Sequence, residues 1–98
     1  MSEEIRRDEQ FFNMADGYIK LANDQCDDEK SGKVSMAMQF AVARFNAFIF
    51  ASMCESPEEF EKDRDTAIKY FVSQYEEALK ENLDDYQNNY TEYMGAKK

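Results

Sequence analysis

Four sets of residues carry types that could do chemistry. The window from Asp27 to Met38 has the outline of a calcium loop: Asp27, Glu29 and Ser31 at positions one, three and five, Gly32 at six, Val34 at eight and Ser35 at nine. Position twelve, where calcium needs a bidentate Glu, is Met38. The expected reading is therefore a polar turn between helices that holds no metal. Arg44 and Asn46 are the polar residues at the centre of the most apolar stretch. A buried guanidinium is costly without a counter-charge. If the first two helices form a hairpin turning near residue 30, residue 44 lies level with Asp16. The expectation is a buried Arg44–Asp16 pair that fixes helix register, with Asn46 satisfied nearby. The alternative is a polar pocket in which Arg44 holds a small anion.

The third set is two acidic clusters: Glu58, Glu59, Glu61, Asp63 and Asp65, then Glu76, Glu77, Glu81, Asp84 and Asp85. A catalytic pair or di-metal centre needs carboxylates converging inward from facing helices. These fall mostly off the apolar stripe and should face water, or else offer an acidic surface to a basic partner. The fourth set is Cys26 and Cys54, which keep apolar phase and read as small buried hydrophobes rather than reactive thiols. The chain contains no His. That removes Ser-His-Asp and Cys-His catalysis, Cys/His zinc fingers and Glu-x-x-His metal sites. We expect no enzyme, catalytic residue, metal or cofactor.

The elements that must position these residues are helices. The chain has 98 residues, 43% of them apolar, with 8 Phe, 6 Tyr, 3 Gly and 1 Pro. That is too apolar for an acidic disordered chain and too poor in turn residues for a β-fold. Helices are expected over about 3–27, 33–54 and 57–94, with a tail at 95–98. Ser2 is the expected N-cap of the first, whose stripe is Phe11, Ala15, Tyr18 and Ala22, with Gly17 off it. The second is apolar on most of its circumference and should be largely buried. The third starts at Ser56-Pro57-Glu58-Glu59, where Ser56 caps, Pro57 suits the first helical position and Glu59 completes a capping box. At 1.5 Å per residue an unbroken third helix would overhang the second by some four turns. A break near 82–85, with Asp84 as cap, would shorten it into a short fourth helix. No internal repeat, linker or second domain is seen. The expected architecture is one all-α domain over 1–98, an up-down three-helix bundle around the second helix.

Charge and hydropathy narrow the partners. Against 12 Lys+Arg stand 21 Asp+Glu, a net charge of −9 that opposes nucleic acid and anionic lipid. Val34 to Cys54 is 16 residues in 21 apolar, the length of a membrane span, but Arg44 at mid-bilayer would cost about 2.5–3.5 kcal/mol. A buried helix of a soluble protein is the preferred reading. With no secretory signal pattern at Met1-Ser2-Glu3-Glu4, the expected compartment is the cytoplasm. Tyr86, Tyr90 and Tyr93 extend the third helix's stripe beyond its neighbours, which points to a homodimer interface and to work through protein–protein contact.

Met14-Ala15-Asp16, Leu21-Ala22-Asn23, Gly32-Lys33-Val34-Ser35, Ala43-Arg44-Phe45-Asn46-Ala47-Phe48 and Glu81-Asn82-Leu83-Asp84-Asp85-Tyr86 together resemble a family of short bacterial proteins of unknown function. The likeness spans Phe11 to Tyr90. It implies a small, soluble, mostly helical bacterial protein and carries over no activity, cofactor or site residue.

Overall fold

A computed structural model of the protein describes residues 5–95. They form four helices: α1 (Glu9–Gln25), α2 (Ser31–Met53), α3 (Pro57–Asn88) and α4 (Tyr90–Met94). Among the described residues no strand occurs. The contacts divide the chain into two units, one ending at Phe45 and the other beginning at Asn46, so the division falls inside α2.

In the first unit α1 begins six residues later than expected. Ser2 lies outside the described residues, and residues 5–7 are not helical. Asp8 is the N-cap: its backbone is extended, and its Oδ1 accepts from Phe11 N–H at 2.9 Å. Asp is among the strongest N-caps, and this one sits directly before the first aromatic pair. The Arg7 guanidinium lies over the rings of Phe11 and Phe12, 5.7 and 5.4 Å from their centres, which ties the entering chain to the first turn. Phe11, Ala15 and Ala22 are half-buried as the stripe requires, whereas Tyr18 is exposed. A Cβ at Gly17 would meet open space, in keeping with its place off the stripe.

In the second unit the Ser56 corner forms as read. Ser56 Oγ accepts from Glu59 N–H at 3.1 Å, and Pro57 opens the helix. Glu59 Oε1 reaches back to Glu55 N–H, also 3.1 Å, one residue before the usual capping-box donor. Phe50, from the last turns of α2, meets Phe60 with ring centres 4.8 Å apart. Phe50 and Ala67 are buried in this unit.

α3 does not break at 82–85. Asn82 donates through Nδ2 to the Ala78 carbonyl at 2.8 Å, a bond to the preceding turn that keeps it inside the helix. Asp84 therefore caps nothing. The interruption comes at Asn89, whose φ of −125° and ψ of 25° leave the helical region. Its Nδ2 donates to both the carbonyl and the carboxylate of Asp85, each at 3.0 Å. The chain then turns into α4, which packs back on α3.

Met36 is 72% exposed and Phe40 71%, although the sequence led us to expect a largely buried helix. Replacing Ser56 by Ala should lower stability by about 1 kcal/mol, and by Gly only a few tenths, read as the shift in the urea midpoint.

Candidate functional site

The residues expected to meet at Arg44 do not. Arg44 and Asp16 are both exposed, and no ion pair joins them. The expectation failed at its premise. It assumed that α2 is buried at residue 44, whereas a guanidinium left in water keeps its hydration and needs no counter-charge. Asn46 is half-buried. The Asp27–Met38 window is the polar turn expected, running into a helix: residues 27–30 connect α1 to α2, Ser31 to Met38 form the first turns of α2, and Lys33 Nζ pairs with Glu29 at 3.2 Å. Among the described residues no group of three metal-binding side chains converges. Of the two acidic clusters, Glu59 is half-buried by its capping role and the rest are exposed.

The cysteines depart from the expected burial. Cys26 is exposed as the C-cap of α1, and Cys54 is half-buried where α2 ends. Cys54 lines an open groove of about 450 Å³ with Ala51, Glu55, Ser56, Pro57 and Phe60. Burial pushes its thiol pKa up, and the carboxylates of Glu59 and Asp63 push it further. A thiol so placed is a poor nucleophile at neutral pH. The groove lining includes no cation that would favour the thiolate.

The most developed polar constellation is at the end of α3, around the tyrosines. Tyr93 Oη donates to both oxygens of Asp85 at 3.2 Å. Its ring meets Tyr86 edge to face, with centres 4.9 Å apart. Asp85 thus binds Asn89 and Tyr93 together and fixes the α3–α4 corner. Sequence periodicity alone could not show this, because Tyr93 returns to the same helix that its own phase appeared to prolong. Even so, Tyr86, Tyr90 and Tyr93 all remain exposed. Partial burial and the Asp85 carboxylate, which both repels the phenolate and accepts the phenol proton, raise the Tyr93 pKa above 10.0.

The family described as "Protein of unknown function (DUF3144)" matches residues 11–87. The chain belongs to that family. No curated protein and no solved structure matches it. The matched span takes in α2 and nearly all of α1 and α3, and stops before Asn89 and α4. The Asp85–Tyr93 corner therefore lies at the edge of what this DUF3144 chain shares with its family. α2 is also long and apolar enough to cross a membrane by length and composition, with a mean hydropathy of 1.4.

Two outcomes follow. Arg44→Met should change stability by no more than about 0.5 kcal/mol in chemical denaturation, as for any exposed substitution without partners. For Tyr93, a raised pKa means that the fold favours the neutral phenol. Its contribution is fully present below pH 10 and is lost as pH rises through the higher folded value. Ultraviolet titration of the protein, minus that of Tyr93→Phe, should show a tyrosine ionising above pH 10. Asp85→Asn should bring it down.

Proposed function

We propose that this DUF3144 protein is a non-catalytic cytoplasmic protein that works through protein–protein contact, first with itself, as a homodimer. The observation that carries the reading is the exposure, in a single chain, of large apolar side chains along α2 and α3. Phe45 is 61% exposed and Phe48 63% on α2, beside Met36 and Phe40, and Val72 and Leu83 are each 59% exposed on α3. Apolar patches of this extent mark interaction surfaces on soluble proteins. A second copy supplies matching apolar cover through a closed two-fold, the commonest oligomeric arrangement. Such a pairing would complete a helical bundle around α2 and bury what one chain leaves open. Tyr86, Tyr90 and Tyr93 suit the same role, because a phenol buries its ring while its hydroxyl stays bonded.

A ligand-binding role for Arg44 has less support: the groove near Cys54 does not include it, and no buried polar shell surrounds it. Docking of a basic protein partner on the acidic clusters would add to self-association rather than replace it. Insertion of α2 in a membrane would leave Arg44 in the hydrocarbon, at the cost given above.

Sedimentation equilibrium at tens of micromolar should give a dimer that tightens with added salt, because salt screens the repulsion between two chains of charge −9. The double variant Tyr86→Ser, Tyr90→Ser should dissociate it with helical content retained. A clean 11.5 kDa species at all concentrations would overturn the reading. So would recovery of the chain only with detergent or floated liposomes.

A further inference from the structure

The exposed face of α3 contains a short repeat. Ile68, Lys69, Val72, Tyr75 and Glu76 recur eleven residues later as Leu79, Lys80, Leu83, Tyr86 and Gln87. All six apolar members, Ile68, Val72, Tyr75, Leu79, Leu83 and Tyr86, are exposed, with Val72 and Leu83 each at 59%. A step of eleven residues in three turns is 3.67 per turn, close to the natural period of the helix. The six therefore form a nearly straight seam of about 27 Å on one side of α3. The α3 face toward the rest of its own unit is a different one, carrying Phe60, Ala67 and Phe71.

Resting on the self-association proposed above, we propose that the seam is the dimer contact, and that a second copy of α3 packs on it antiparallel, about a two-fold axis near residues 77–79. Three observations select this occupant. The first is the repeat itself: with two halves of like composition along one line, an antiparallel partner sets each half of the seam against the other half of its copy. The second is area. With side chains of roughly 150–200 Å² about half open, the six positions offer about 900–1,200 Å² across a two-fold, the size of the smaller specific interfaces.

The third is charge. Helical phase turns Glu77, Glu81, Asp84 and Asp85 away from the seam. It leaves Lys69, Glu76, Lys80 and Gln87 along one border and Phe71, Ala78 and Asn82 along the other. The border residues carry no excess of negative charge, although the chain as a whole does. In an antiparallel pair, like borders face each other. Glu76 of one copy then lies opposite Lys80 of the other, and the reverse, around the axis. Within one chain these two already pair at 3.3 Å. A parallel pair would set that border against the uncharged one and leave the four charges without cross-chain partners.

Single cysteines placed in a full-length Cys26→Ser, Cys54→Ser chain test this through disulfides formed by mild copper oxidation. Leu79→Cys, beside the axis, should link to itself. Ile68→Cys and Tyr86→Cys should not link alone but should link to each other when mixed. Self-linking of all three would overturn the antiparallel arrangement. A sedimenting dimer with no link at any position would overturn the seam while leaving self-association intact, and a monomer would overturn both. Separately, Lys80→Glu should weaken dimerisation about tenfold, and adding Glu76→Lys should restore it. Failure of the swap to restore would remove the charge pairing.

Discussion

Every part of this protein is governed by one constraint: apolar side chains must leave water, at about 25 cal/mol per Å² of buried surface. α2 carries such side chains on nearly every side, and α3 adds a second exposed row. Only Val34, Phe50 and Ala67 are buried among the apolar side chains described. A chain of 98 residues has little interior to offer, and within the second unit two aromatic contacts close the corners. The Phe50–Phe60 contact closes the α2–α3 corner, and Tyr86–Tyr93 closes the α3–α4 corner. What remains open is the surface from which the assembly is argued.

The helices hold their form through local polar chemistry at their ends, which is independent of that cover. Asp8 and Ser56 each satisfy an N–H that the first turn would otherwise leave unpaired. Glu59 adds a bond across the α2–α3 connection. Asp85 does the corresponding work at the far end, where one carboxylate receives an amide and a phenol. The surface ion pairs, Lys20–Asp24, Lys33–Glu29 and Lys80–Glu76, contribute a few tenths of a kcal/mol each and fix no tertiary contact.

This division explains what could be read in the sequence. Ser56-Pro57-Glu58-Glu59 was legible because a cap depends on residues within four positions of one another. The three long helices followed from apolar spacing, also a local property. Asp8 was overlooked in favour of Ser2 because both precede acidic residues suited to a first turn. The Asn89 interruption was placed several residues early because Asn82 and Asp84 have the same composition as a cap. Only the bond from Asn82 to Ala78 shows that the helix continues there. Arg44 was misplaced for a different reason. Pairing it with Asp16 required knowing how two helices lie together, and an apolar helix is not evidence of a buried one. The eleven-residue recurrence in α3 was missed because its members were read as one continuous stripe. Its two halves separate only when the lysines and the Glu76/Gln87 pair are counted with the apolar positions.

The charge of the chain is what makes its apolar surface tolerable and its association selective. Two copies carrying −9 each repel at a distance, so indiscriminate clustering through exposed Phe and Met is opposed. Close approach is favourable only where acids are absent or matched. Between residues 68 and 87 the face of α3 that bears Ile68, Val72, Leu79 and Leu83 meets that condition, since the charges bordering it there are two Lys and one Glu. Faces carrying Glu77, Glu81, Asp84 or Asp85 do not. Acid content and apolar content, which appear to conflict in the composition, thus act together: the first limits where the second can be buried.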